Sequence, residues 1–183
     1  ACVASCGSRG LSRCSQGRLS CEPPAETCNL QDDNCDGQCD EGLQGLCRVA
    51  VHRATGVFNQ RTYHAYSTQQ SRLQNLGYSV ERSNYFYLYQ TQGPDAVSLY
   101  LCHDQMGRHL LSVQSNCGLN QSPIETLGYV LTAHRCSSQA LYHLSHPETG
   151  NHLYTIDPDE VQAVMTNYAY QDHGVLGYIW RNP

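Results

Sequence analysis

The chain contains no lysine: its 11 fixed positive charges are all arginines, set against 16 Asp and Glu, for a formal charge of −5. That balance excludes nucleic acid and an anionic membrane as the expected main partner. No apolar run approaches the ~20 residues of a membrane-spanning helix. No basic segment followed by an apolar one opens the sequence, so any signal peptide is expected to lie outside it. No two cysteines are spaced C-x2-C, which removes the paired knuckles of a zinc site. The signatures G-x-S-x-G and H-E-x-x-H and a Gly-rich phosphate loop are also missing, so no common enzyme class is indicated. Phenylalanine is scarce, with 2 residues against 13 tyrosines.

What is abundant is cysteine, and it is unevenly placed. Cys2, Cys6, Cys14, Cys21, Cys28, Cys35, Cys39 and Cys47 crowd the first 47 residues, while Cys102, Cys117 and Cys136 are spread over the rest. Such density in a segment too short to bury a core predicts a disulfide framework and an oxidising compartment, hence a secreted or cell-surface protein. Eleven is odd, so at least one thiol is left free or pairs with another chain. The expected organisation is a cysteine-rich module over residues 1–47 and a second domain over 48–183.

The second domain repeats itself. His64, His109 and His152 lie 45 and 43 residues apart, and each opens the pattern His, apolar, Tyr or Leu, then Ser or Thr, ending at Ser67, Ser112 and Thr155. An apolar alternation precedes each pattern and an aromatic strand follows it. A period of this length predicts one supersecondary unit used three times, over 48–96, 97–139 and 140–183. The coarse reading of a unit is strand, turn, strand, helix, strand. Helices are expected from Ser67 to Leu76 and from about Thr155 through Met165, where Pro158 and acidic residues mark a first turn. The middle unit lacks its helix, and Cys102 is expected to pair with Cys117 there. The fold class expected is α+β, strand-dominated and pseudo-threefold, with a β-trefoil as the alternative.

Residues 32–40 read Asp-Asp-Asn-Cys-Asp-Gly-Gln-Cys-Asp. The pattern D-x-[DN]-x-[DN]-G presents oxygen ligands at alternate positions of a tight turn, as calcium requires. Asp32, Asn34, Asp36 and Asp40 are the side-chain candidates, with the Gln38 carbonyl, and Glu41 or Glu26 completing the shell. Cys28 and Cys35 bracket the loop and are expected to close it.

The stretch from Glu26 to Gly42, Glu-Thr-Cys-Asn-Leu-Gln-Asp-Asp-Asn-Cys-Asp-Gly-Gln-Cys-Asp-Glu-Gly, resembles the E-T-C…D-G-x-x-D-E-G motif of metal-binding repeats in bacterial surface proteins, best known from myxobacteria and a methanotroph. The resemblance implies secretion and a structural metal. Cys39 departs from the motif and is expected to pair with Cys47. Copper is associated with that family, but copper favours His, Cys or Met ligands and no His precedes His52. Residues 48–183 resemble the tyrosine-rich domain-of-unknown-function repeats, with H-x-Y-T, of secreted bacterial and fungal proteins. The best match is the stretch from Tyr142 to Thr155, and it implies fold and secretion more than activity.

His64, His109 and His152 are candidates either to lock the repeats through backbone hydrogen bonds or to contact a ligand. Tyr66, Tyr154, Tyr168, Tyr170 and Trp180 are candidate aromatic platforms for a sugar. The features suggesting catalysis are the recurrent histidines with their Ser or Thr, above all His152 with nearby carboxylates, then Cys136 beside His134, and the carboxylates Asp157, Asp159 and Glu160. Cys136 is otherwise the odd cysteine or bonded to the N-terminal module. The expected function is a non-catalytic binding module for glycans or a cell-envelope polymer. The alternatives are a self-assembling matrix or filament subunit and a hydrolase.

Overall fold

The computed structural model describes residues 1–40, 42–43, 47–104, 106–118 and 123–183. Two antiparallel sheets make up the chain. The small one joins β1 (Cys2–Val3), β2 (Arg9–Ser15) and β3 (Arg18–Glu22). Its strands are mostly exposed, with Leu11 and Leu19 outward, so crosslinks rather than a core hold it.

The large sheet is built from hairpins, each followed by a further strand. The first is β4 (Arg48–Phe58) with β5 (Arg61–Ser67), followed by α1 (Gln70–Asn75) and β6 (Ser79–Tyr89). The second is β7 (Ala96–His103) with β8 (His109–Ser112), followed by β9 (Glu125–Leu131). The third is β10 (Gln139–Ser145) with β11 (His152–Thr155), followed by α2 (Pro158–Tyr168) and β12 (Gln171–Ile179). In each case the first strand lies between the other two: β4 pairs β5 and β6, β7 pairs β8 and β9, β10 pairs β11 and β12. The following strands then meet at Tyr89↔Tyr129, Tyr178↔Leu131 and Tyr87↔Trp180, which nearly closes the sheet into a barrel. The domain is thus strand-dominated, as the alternating pattern indicates.

Local chemistry sets the boundaries. Asp157 caps α2 by accepting from the Asp159 N–H at 3.0 Å, Pro158 occupies its first turn, and Ala169 ends it in the left-handed region at φ 55°. α1 is shorter than the expected 67–76, because Ser67 Oγ accepts from the Gln69 N–H at 3.1 Å and finishes β5 before the helix can start. The β10–β11 turn is closed by Gly150 N–H on His146 O at 2.7 Å, with Gly150 at φ 63°.

Inside the barrel, Val51, Phe86, Leu88, Leu99, Leu101, Val130, Leu141 and Ile179 are fully buried. Two tyrosines sit among them with no exposed surface. Tyr66 OH accepts from Tyr154 N–H at 2.7 Å and donates to Tyr154 O at 3.0 Å. Tyr154 OH accepts from Leu111 N–H at 2.9 Å and donates to Leu111 O at 3.0 Å. These hydroxyls satisfy backbone groups of β11 and β8 where β5, β8 and β11 approach one another.

Five disulfides pair Cys2–Cys21, Cys6–Cys35, Cys28–Cys47, Cys39–Cys136 and Cys102–Cys117, leaving Cys14 as the exposed free thiol. The Cys102–Cys117 link is the one expected. The expected closure of the acidic loop by Cys28 and Cys35 does not occur. Ser8 Oγ donates to Asp33 O at 2.7 Å, which lays the β1–β2 turn on the loop and brings Cys6 to Cys35. Cys28 reaches Cys47 instead, so Cys39 is free to cross to Cys136, the alternative in which Cys136 joins the N-terminal module.

Tyr154→Phe is expected to cost about 1–3 kcal/mol, because it strands the buried N–H and C=O of Leu111. Tyr168→Phe, at an exposed site, is expected to change stability by less than about 0.5 kcal/mol. Urea denaturation of both variants is the check.

Candidate functional site

A groove of about 420 Å³ opens between the β4–β5 turn, the end of α1 and the β7–β8 turn. That volume lies within the usual range for small-ligand sites. Phe58, Asn59, Tyr63, Leu76, Tyr78, His103, Met106, Gly107, Arg108 and His109 line it. Aromatic rings run in a chain along its wall. Phe58 lies 6.3 Å from Tyr63 and 5.1 Å from Tyr78, Tyr78 lies 5.6 Å from His109, and His109 lies 5.3 Å from His103.

The local sequence explains this wall. Asn59 and Gln60 both adopt positive φ, at 51° and 63°, giving a tight two-residue hairpin that carries Phe58 outward. Gly56 leaves the space the Phe58 and Tyr78 rings occupy, since a Cβ there would strike both. His109 is buried, and its Nδ1 accepts from Tyr66 N–H at 3.3 Å. Burial first, then His103 and Arg72, push its pKa down to about 4. The ring is therefore neutral, with its proton on Nε2 as a donor. The arginine that lines the groove, Arg108, is paired with Asp104, and Arg72, beside it, with Glu125.

Of the residues expected to contact a ligand, His109 lies in this groove and the others do not. Tyr66 and Tyr154 are fully buried, and their hydroxyls are spent on backbone groups, so they lock the core and present no surface. Trp180 is likewise buried, its Nε1–H donating to Cys136 O at 2.9 Å and its ring stacked under Arg48. His64 faces Asn151, whose side-chain amide also reaches Tyr170 OH at 2.7 Å. Burial, then Arg53, lower the His64 pKa. Tyr168 is exposed on α2. Phe58, Tyr63, Tyr78 and His103 were not singled out by periodicity. The signal for them is an exposed Phe beside an Asn-Gln turn.

His152 belongs to a second cluster. Its Nδ1 meets His143 Nε2 at 3.0 Å, His143 stacks on Tyr154 at 4.6 Å, and the His173 ring lies 4.7 Å from His143. Burial above all, then neighbouring His152 and His173, lower the His143 pKa to about 3. Burial lowers that of His152 to about 4, against the pull of Asp104. Both rings are neutral near pH 7.

The other features that suggested catalysis have structural roles. Cys136 is in a disulfide. Arg53, 1% exposed, is held by Glu160 through two contacts of 2.8 Å and by Glu81 at 2.9 Å, with Tyr85 stacked on it. Burial would raise the Glu160 pKa, but Arg53 and Thr155 outweigh it and hold the group as a carboxylate. Asp157 and Asp159 cap and flank α2.

In the acidic loop the carboxylates are bonded to backbone. Asp32 accepts from Asp36 and Gly37 N–H at 3.0 and 2.8 Å, Asn34 Oδ1 from Asp36 N–H at 2.9 Å, and Asp36 from Gln38 N–H at 2.9 Å. These three keep lone pairs on successive faces of one turn around Gly37. Asp40 is apart from them: buried, it accepts from Asn29 and Leu30 N–H and from Tyr89 OH, and burial raises its pKa. Glu26 braces the loop through Asn34 and Asp40 N–H, each at 2.7 Å. Glu41 lies outside the described residues. Among the described residues no group of three or more His, Cys, Asp or Glu side chains is set to grip one ion. Asp40 stands outside the set formed by Asp32, Asn34 and Asp36, its oxygens taken by Asn29, Leu30 and Tyr89.

The family model described as Domain of unknown function (DUF5648) matches residues 124–182, about a third of the chain. That stretch spans β9 through β12. No curated protein matches the chain, and no solved structure does.

His143 and His152 bind fewer protons folded than unfolded between their folded values, about 3 and 4, and the ordinary 6.5. Stability is therefore full above about pH 6.5 and is lost as pH falls toward 4. Melting temperatures from pH 7 to pH 4 should fall, and His143→Gln should flatten that slope.

Proposed function

We propose that this chain is a secreted binding module, in which the barrel contacts glycans or another cell-envelope polymer through the groove at His109 and the N-terminal module is a stapled support. The observation that carries the reading is the groove's composition. The rings of Phe58, Tyr63 and Tyr78 run on into His109 and His103, with Asn59 also in the lining. Flat apolar rings beside neutral hydrogen-bonding groups suit the alternating C–H and O–H faces of a sugar. Five disulfides fit an oxidising location.

A pseudo-threefold construction is part of the same proposal. It is supported by the strand order, which is the same in all three hairpin-plus-strand units, and by the hydroxyl bonds that run from Tyr66 to 154 and from Tyr154 to 111. Leu111 holds the corresponding place without a hydroxyl, and the Tyr66 N–H turns to His109 instead. The residues just before the recurrent histidines support it too. Asn151 fills the space beside His64, and Arg108 packs on Gly150 and Thr149 next to His152. Tyr63 stands back from His109 and leaves the groove open. One of three corresponding clefts is available.

Calcium is proposed as a structural ion on Asp32, Asn34, Asp36 and the Gln38 carbonyl, with water completing its shell. Its part in the function is to stiffen the turn that carries Cys35. Asp40 instead ties the module to Tyr89.

Glycan-array screening followed by titration is the test of binding: a signal competed by free sugar is expected, weakened at least about tenfold by Tyr78→Ala. A chain that binds no glycan on a broad array rules the reading out. For calcium, chelation is expected to lower the melting temperature, and Asp36→Ala to abolish that difference. Identical melting with and without chelator in the wild type would remove the ion from the account.

A further inference from the structure

A second hollow, of about 380 Å³, adjoins the groove and is lined by Gln69, Ser71, Arg72, Asn75, Leu76, Leu101, His103 and His109. Leu76, His103 and His109 belong to both walls. The two hollows therefore meet along one ridge. The first carries the aromatic rings, and the second is a mostly apolar hollow over Leu76 and Leu101, rimmed by Gln69, Ser71 and Asn75 along α1.

The shared ridge has a particular chemistry. Leu76 is 49% exposed at the end of α1, an apolar surface with no core to cover it. His109 is neutral, with Nδ1 already taken by Tyr66 N–H. Burial, then Arg72, lower the His103 pKa as well, against Asp104. The charges at the two sides are internally cancelled: Arg72 by Glu125 in the second hollow, Arg108 by Asp104 in the first. Arg108 spends a further N–H on Thr149 O. A carboxylated or sulfated chain would have to break these pairs to gain a counter-ion, whereas an uncharged polyhydroxyl chain would not.

Resting on the glycan reading above, we infer that the two hollows are consecutive subsites for one unbranched, uncharged oligosaccharide. The chain crosses the Leu76–His103–His109 ridge, with one stretch against Phe58 and Tyr78 and the next lying on Leu76 and Leu101, its hydroxyls within reach of Gln69 and Asn75 at the rim. The ligand class is a neutral linear glycan, and chain length is what the site measures.

Titration calorimetry with neutral chito- and cello-oligosaccharides, from monosaccharide to hexamer, and with oligogalacturonides of matching length, tests this on the intact chain. Affinity is expected to rise about tenfold once the sugar is long enough to cross the ridge, then to level off. Gln69→Ala with Asn75→Ala, exposed residues just before α1 and at its end, is expected to remove that gain and leave short-sugar binding intact, whereas Tyr78→Ala weakens every length. Equal affinity for short and long sugars overturns the two-subsite inference while leaving glycan binding in place. Tighter, salt-sensitive binding of the galacturonides overturns the uncharged class. Failure of every sugar to bind overturns the glycan reading itself.

Discussion

The three short strands β5, β8 and β11 come together in the middle of the barrel, where their backbone groups are beyond the reach of water. The tyrosine hydroxyls of Tyr66 and Tyr154 supply the missing partners, each bracketing the N–H and C=O of one residue on a neighbouring strand. A hydroxyl is the one small group that can donate to the carbonyl and accept from the amide together. Around these strands Asn151 lies against His64, Arg108 reaches Thr149 O, and Tyr63 lines the groove that contains His109.

The N-terminal module meets the barrel at a mixed interface. Leu30 packs with Tyr89, Leu131 and Trp180, and Gly93 leaves room for it. Arg48 stacks on Trp180 and Tyr89 while donating to Cys39 O at 2.8 Å. Asp40, the last acidic residue of the loop, is drawn into that interface by Tyr89. One carboxylate of a sequence that looks like a single metal loop thereby serves as a docking anchor.

Much of the fold was legible in the sequence. The crowding of cysteines marks the module, the alternating apolar patches mark the hairpins, and Asp157-Pro158-Asp159-Glu160 announces α2. Cys102–Cys117 was legible, but the pairings expected at Cys28–Cys35 and Cys39–Cys47 were not the ones formed, because they depend on how the β1–β2 turn lies on the acidic loop, a contact between Ser8 and Asp33 that no spacing encodes. The recurrent tyrosines drew attention as ligand platforms, yet their regular recurrence reflects the demands of the centre, where Tyr66 and Tyr154 are hidden. Phe58 and Tyr78 sit at irregular places around a turn and a helix end, so periodicity passes over them. His109 was singled out by its recurrence alone, and it lies in the groove lining.

The bond between Cys39 and Cys136 joins positions 97 apart in sequence and lies beside the Trp180 ring. Its consequence is mechanical. Traction on the front of the chain reaches the barrel near the end of β12 through a covalent link, without first drawing β4 out from between β5 and β6. Reduction of that bond would leave the backbone at Cys47-Arg48 as the covalent route for the same load.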